Sequence, residues 1–338
     1  MSLLFDIKHI AHVNFFKPVI HRLVKENYKV IISYIDRGRL PKIIKAEFPY
    51  VDSYSIGAHR GNTISILYDA NFKKFFKGSF LIKEHDIQLM LGVDAFVTGL
   101  SCKLFGIPNI QFYDDPERKV NLFLEQKTSS ELFYPAITDF SGTSVQTYNA
   151  LKEWAYLSPT QFIPNEKVLK EYELKKANYF FVREVDNGSL NYKGQDSGTI
   201  ASVAESFPTD IPVILSLENK SKKESYPSNW IILDEPIMDI HSLMYFSKAV
   251  ISSGDSMARE GAMLGVPSFY VGFRDMAANR FIQKEGRFYI VSPEHLSKGL
   301  TNLGIEENSK EEYREYLQNK WIDVTDMIYQ LIIKYLKN

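Results

Sequence analysis

Four short segments of this chain bring together residue types that can do chemistry. The first reads KAVISSGDSMAREGAMLGVPSFYVG. A strand-like run ends at Ser252, a small polar turn covers Ser253, Gly254, Asp255 and Ser256, and a helical pattern begins near Met257. Small residues let a backbone approach an anion closely, and the unpaired amides of a helix's first turn supply donors and partial positive charge. A diphosphate is the natural guest of such a turn. Arg259 and Glu260 lie one turn further in, where they reach past the phosphates, and a carboxylate there accepts hydrogen bonds from ribose hydroxyls. The same pattern also reads as an ordinary helix capped by Asp255 or Ser256.

The second segment, FDIKHIAHVNFFKPVI, sets Asp6, His9 and His12 around the first strand–helix turn. Histidine is the side chain best suited to take a proton near neutral pH, so His12 is the candidate base and His9 a candidate substrate contact. Asp6 orients a neighbour or caps the helix. The third, QFYDDPERKVN, places Asp114, Asp115 and Glu117 after a strand. They serve as base, as partners for sugar hydroxyls, as ligands of a divalent ion, or only as the cap of a helix that Asp-Pro-Glu opens. No repeated ligand spacing points to a dedicated metal site, and no cofactor is called for. In the fourth, FFVREVDNGSLN, Arg183 either neutralises a diphosphate or makes a surface ion pair, and Asn187 with Gly188 suits a tight turn against a ligand.

These segments need elements to position them. Short apolar runs alternate with longer helical patterns: Leu3 to Ile7, YKVIISYI, VDSYSI, IQLML and NIQFY, then a second series of NYFFVR, PVILSL, NWIIL, KAVISS, SFYVG and FYIV. Such alternation predicts right-handed βαβ units and parallel sheets. The expected fold is α/β with two doubly wound, Rossmann-like domains and an interdomain cleft. The expected boundaries are 1–160 for an N-terminal Rossmann-like domain, 161–176 for a linker and 177–308 for a C-terminal Rossmann-like domain. Residues 309–338 are expected to form one long helix packing back across the domains. Ligands of doubly wound sheets lie at the carboxyl ends of the strands, where all four segments fall.

Composition narrows the class. The 338 residues suit two domains, and 45% hydrophobic content supports two cores. Forty basic against 41 acidic residues, a formal charge of −1, argues against nucleic acid as the main partner. The single cysteine, Cys102, excludes an intrachain disulfide, fits a reducing cytoplasm, and sits in an apolar run that predicts burial. No stretch reaches a membrane span, although aromatic and lysine residues leave peripheral membrane contact open. Signatures of P-loop NTPases, zincins, serine hydrolases and dinucleotide enzymes are absent.

Four ordered blocks, DIKHIAHVNFFK, FYDDPE, ALKEWAYLSPTQFIPNEKVL and GDSMAREGAMLGVPS, resemble the domain-of-unknown-function family 354. That family resembles the GT-B superfamily, including the non-hydrolysing UDP-N-acetylglucosamine 2-epimerases and the lipid-II-forming glycosyltransferase. The resemblance implies that Glu260 holds a uridine ribose. It implies that amides near Ser256 and Met257 bind the diphosphate, and that His12 acts at the acceptor. The implied activity is transfer of a sugar from a nucleoside-diphosphate sugar, UDP-linked, to a glycan or lipid-linked acceptor in surface polysaccharide biosynthesis. The implied alternatives are a UDP-sugar 2-epimerase or a non-catalytic binder. The chain departs from its relatives at Lys8 and Asp255, where the family has glycine, and in VREVDN, where epimerases carry a His-Arg-Arg loop.

Overall fold

The computed structural model describes residues 2–58, 68–137, 145–186, 198–234, 239–301, 303 and 308–337. The chain divides into two compact units, one of residues Met1–Tyr156 with Trp321–Asn338, the other of Leu157–Lys320.

In unit 1 the strands are β1 (Ser2–Ile7), β2 (Lys29–Asp36), β3 (Asp52–Ala58), β4 (Ile87–Val93), β5 (Asn109–Phe112), β6 (Glu131–Pro135) and β7 (Val145–Tyr148). They make one parallel sheet in the order β3-β2-β1-β4-β5-β6-β7. All six residues of β1 are buried, as in a central strand covered on both faces, and four of the six in SLLFDI are apolar. The helices are α1 (Ile10–Lys25), α2 (Leu40–Glu47), α3 (Lys74–Glu84), α4 (Phe96–Leu104) and α5 (Lys119–Thr128). Leu81, Ile82 and Cys102 turn inward from α3 and α4 to join Leu4, Ile31 and Met90 in a core beneath the sheet.

In unit 2, β8 (Phe180–Glu184), β9 (Val213–Leu217), β10 (Ile231–Ile232), β11 (Ala249–Ser252), β12 (Ser268–Tyr270) and β13 (Phe288–Ile290) form a parallel sheet in the order β10-β9-β8-β11-β12-β13. Its helices include α6 (Ile240–Phe246), α7 (Asp255–Met263), α8 (Ala277–Glu285), α9 (Leu296–Thr301) and α10 (Asn308–Lys320). Helix α7 lies unusually close to its sheet: a Cβ on Gly261 would fall 2.4 Å from Ser268 Oγ and 2.8 Å from a Val250 methyl.

Both sheets have Rossmann-like strand order. The chain reverses direction across the sheet between β1 and β4 in unit 1, and between β8 and β11 in unit 2. Those two points, at the carboxyl ends of the strands, are where such sheets leave a crevice for ligand.

Two details differ from the sequence expectation. Strands β6 and β7 join the unit 1 sheet, although ELFYP and VQTY are too short to stand out as apolar runs. The single helix expected over 310–337 is two, α10 and α11 (Val324–Lys337). Trp321 is buried edge-on against Trp154, and Asp323 accepts the Asp326 amide at 2.9 Å, which caps a new helix.

Candidate functional site

At the unit 2 reversal, β11 delivers Ser252 and Ser253 to the sheet edge and α7 starts directly afterwards. Neither Asp255 nor Ser256 caps the helix. Gly254 is the N-cap, in extended conformation (φ −103°, ψ 131°), and a glycine has no side chain to offer the first-turn amides. The two serines are turned to other work. Ser252 Oγ accepts the Gly254 amide at 3.0 Å, and Ser253 Oγ donates to Glu184 at 2.7 Å while accepting the Val185 amide at 3.0 Å. The backbone of Ser256 and Met257 thus begins a helix whose positive end has no carboxylate or hydroxyl placed over it by the N-cap.

Asp255 is 1% exposed and does not present its charge outward. Arg259 Nη1 donates to its Oδ2 at 2.7 Å and to Asn279 Oδ1 at 2.7 Å, while Nη2 donates to Ser256 Oγ at 3.3 Å. Arg259, expected to reach past phosphates, is itself 1% exposed and points into the unit. The reason is electrostatic: an acid buried in the first turn must be paired, and the arginine one turn along is in reach. Arg274 Nη1 stands 3.9 Å from the same Asp255 oxygen and is partly exposed. Gly272, just before it, carries the β12 loop against this turn, since a Cβ there would fall 2.5 Å from Ser253 O. Glu260 keeps a small exposure, with its Oε2 3.4 Å from His241 Nε2.

Arg183, at the end of β8, donates to Ser216 Oγ at 3.0 Å and to Glu218 at 3.2 Å. Asn187 and Gly188 lie outside the described residues. The buried carboxyl of Glu184 accepts from Ser253, the Ile200 amide (2.7 Å) and Tyr226 (3.1 Å), tying β8 to the turn after β11. Burial pushes its pKa up, and these donors offset part of the rise.

At the unit 1 reversal, His9 N-caps α1, its Nδ1 accepting the Ala11 amide at 3.2 Å, and lies exposed. His12 is 9% exposed, 6.3 Å from His9 between ring centres, with Nδ1 accepting the Lys8 amide at 3.4 Å. Its pKa falls well below the usual histidine value through burial first, then the charge of Lys152, His9, Lys8 and Lys74. The imidazole is therefore neutral at neutral pH, the state a proton acceptor requires. Asp114, Asp115 and Glu117 diverge: Asp114 pairs with Lys152 at 2.5 Å, Asp115 with Arg118 at 3.1 Å, and Glu117 is exposed. Glu131 starts β6 and so sits at the opposite sheet edge, where it accepts from Tyr335 and Gln146. Among the described residues, no group of three or more His, Cys, Asp or Glu side chains converges as metal ligands.

The centre of this edge is a charge cluster. Asp6, fully buried, accepts from Lys74 Nζ at 2.6 Å, Thr98 Oγ1 at 2.8 Å and Ser33 Oγ at 3.2 Å. Lys74 is also fully buried, and its pKa falls to about 8 because desolvation outweighs the attraction of Asp6. Lys8 binds both the carbonyl and the carboxylate of Asp94, whose backbone is left-handed (φ 50°), a conformation a short acid tolerates. Burial opposes the Lys8 charge, but Asp94, Asp6 and Glu125 together raise its pKa. Glu125 accepts the Phe96 amide at 2.9 Å, and burial followed by the Asp94 charge lifts its pKa to about 8.

The profile of one family, "Protein of unknown function (DUF354)", spans residues 1–337. The chain belongs to that family. The uncharacterized protein MJ0665 of Methanocaldococcus jannaschii is 24% identical over 284 residues, 78% of this chain and 79% of the relative. Among solved structures, the putative UDP-N-acetylglucosamine 2-epimerase of Listeria monocytogenes superposes with a TM-score of 0.73 at 14% identity, covering 99% of this chain and 96% of that one. The glycosyltransferase VinC, solved in complex with DTDP, superposes with a TM-score of 0.68 at 12% identity, covering 100% of each chain. These likenesses establish the GT-B type of fold.

In this DUF354 protein, sequence reasoning did not single out Lys74, Asp94, Glu125, Glu184, His241 or Arg274. Lys74 is one lysine in the run FKKFFKGSF, and nothing local marks which of those charges is buried. Asp94 and Glu184 had a usable signal, since each closes or directly follows a strand at a reversal point.

Proposed function

We propose that this protein is a GT-B glycosyltransferase that moves a sugar from a nucleoside-diphosphate sugar, UDP-linked, to a glycan or lipid-linked acceptor in surface polysaccharide biosynthesis in the cytoplasm. One observation carries the reading. Helix α7 opens at a sheet reversal behind a glycine N-cap, and its own first-turn acid is cancelled internally by Arg259. The amides of Ser256 and Met257 then hold the diphosphate, with the partly exposed Arg274 as the available cation and Glu260 receiving the ribose hydroxyls. As the anomeric C–O bond to the diphosphate breaks, these donors stabilise the departing charge. In unit 1 the neutral His12 takes the acceptor hydroxyl's proton as the new glycosidic C–O bond forms. Its contact with the Lys8 amide, at 3.4 Å, is long enough to be given up easily when the ring changes tautomer. Asp115 and Glu117 orient sugar hydroxyls.

A second reading, a UDP-sugar 2-epimerase, is favoured by one feature: Glu125 holds a proton to about pH 8 within the field of Asp94, an acid–carboxylate pairing suited to moving a proton off and onto carbon. Incubation with UDP-N-acetylglucosamine followed by proton NMR separates the two. Release of UDP supports transfer or hydrolysis, a new epimer supports the second reading, and binding without turnover supports a non-catalytic binder. The Glu260→Ala variant should bind UDP about 10- to 100-fold more weakly by calorimetry, as loss of hydrogen bonds to a charged acceptor predicts. Unchanged affinity removes Glu260 from the nucleotide site.

A further inference from the structure

Helices α3, α4 and α5 of unit 1 pack side by side, and their outward faces carry the wrong residues for a water-facing surface. Phe72, Phe76 and Phe80 recur every four residues, so they line one stripe of α3 and the turn before it, and all three rings are more than half exposed. The Phe72 and Phe76 rings lie tilted against each other, 4.8 Å between centres. On α4 the bare side chains are Leu100 and Leu104, and on α5 they are Val120 and Phe123. Other apolar residues of these same helices, Leu81, Ile82, Cys102 and Leu122, already fill the core, so the outward ones are surplus to it. At about 200 Å² for a whole aromatic side chain, the four exposed phenylalanines alone leave roughly 450 Å² of apolar surface, in the range of the largest patches on monomeric proteins, which are often functional.

The charges around this stripe are one-sided. Among the residues whose exposure is described, the exposed charged side chains of residues 71–73, α3, α4 and α5 are Lys73, Lys77, Lys83, Lys103, Lys119 and Lys127, against one acid, Glu84. The chain as a whole carries a formal charge of −1, so this excess is local. The lysines stand among the apolar groups: Lys127 lies over the Phe123 ring at 5.6 Å, and Lys103 reaches the Lys127 carbonyl at 3.1 Å. Their stems cover hydrocarbon while their ammonium groups reach outward. Aromatic rings ringed by lysine match one surface, a bilayer with hydrocarbon below and anionic headgroups above. No helix among the described residues is long and apolar enough to cross a membrane, so the contact is peripheral.

We propose that the α3–α4–α5 face docks on an anionic lipid bilayer. The inference stands independently of the glycosyltransferase reading. The test is cosedimentation of the full chain with vesicles of phosphatidylcholine alone or mixed with phosphatidylglycerol, at low and high salt. Wild type should bind the mixed vesicles and be released by salt. Phe76→Ser/Phe80→Ser should lower partitioning about tenfold per ring, and Lys77→Gln or Lys103→Gln about fivefold each. Because these side chains point outward, thermal unfolding should be unchanged. A Phe80→Trp variant should also show a blue-shifted emission on binding. Failure of wild type to bind overturns the proposal, as does binding that the double variant or the tryptophan does not sense. So does conversion of a self-associated wild type to monomer by Phe76→Ser/Phe80→Ser, which would assign the face to a second copy of the chain.

Discussion

Replacing Arg259 by methionine tests whether that guanidinium grips the ligand or silences Asp255. Methionine keeps much of the volume but removes the donors at 2.7 Å to Asp255 and Asn279. Asp255, 1% exposed, keeps Arg274 at 3.9 Å as a more distant cation. Breaking a buried pair from one side typically costs about 3–5 kcal/mol. For a unit of this size that lowers the unfolding temperature by roughly 10 °C. Binding should suffer as well. An uncancelled carboxylate about 8 Å from a phosphate charge, at an effective dielectric of about 20, opposes it by about 2 kcal/mol, or roughly thirtyfold in Kd. The double variant Asp255→Asn/Arg259→Met removes both charges. If Arg259 only cancels Asp255, UDP affinity by calorimetry returns to near wild type and most of the thermal stability is recovered. The single change Asp255→Asn should leave affinity equal or tighter. A double variant that binds as weakly as Arg259→Met refutes the reasoning and returns Arg259 to the phosphates.

Two further outcomes follow from the unit 1 charge cluster. Glu125 has a folded pKa of about 8, above its unfolded value, so the folded state holds the extra proton and loses stability as pH rises from about 4.5 through about 8. Glu125→Gln preserves the acceptor for the Phe96 amide and should flatten that decline, the gap from wild type in urea unfolding widening towards pH 8; a constant gap contradicts the assignment. His12 has a depressed pKa, so it should remain neutral as pH drops through 6.5, and folding should weaken only as the unfolded chain begins to take up the proton it refuses. Imidazole carbon and nitrogen shifts report this directly, and an ordinary titration near 6.5 would mean the ring is not buried as described.

Much of the fold was legible because parallel sheets write themselves plainly. All six second-series runs became β8 to β13, and the five earlier runs became β1 to β5. Strands β6 and β7 escaped because each is short, and β7 lies half outside the core with the pattern VQTY. The break between α10 and α11 escaped because Trp321 fits the helical spacing; only its partner Trp154, far away in sequence, shows why the helix stops there. At the site, the SGDSMARE turn was legible from its small residues, but the direction of Arg259 was not. Spacing puts Arg259 within reach of both a ligand and Asp255, and burial decides between them.

The two reversal points solve one problem in opposite ways. Each gathers backbone ends at a sheet edge where charge is poorly screened. In unit 2 the helix start is left to its own dipole: a glycine caps it, the adjacent serines bond to neighbours, and the one acid is matched by a buried arginine. That edge therefore has a standing preference for an anion. In unit 1 the corresponding space is occupied by opposite charges already satisfied, Asp6 with Lys74 and Asp94 with Lys8, beside a neutral imidazole and a carboxyl that keeps its proton. A cluster so paired offers little net charge to an incoming phosphate, but it fixes groups that accept and release protons. Under the proposed glycosyltransferase function, the donor's diphosphate would go to unit 2 and the handling of a neutral hydroxyl to unit 1. The division follows from where each carboxylate finds its partner.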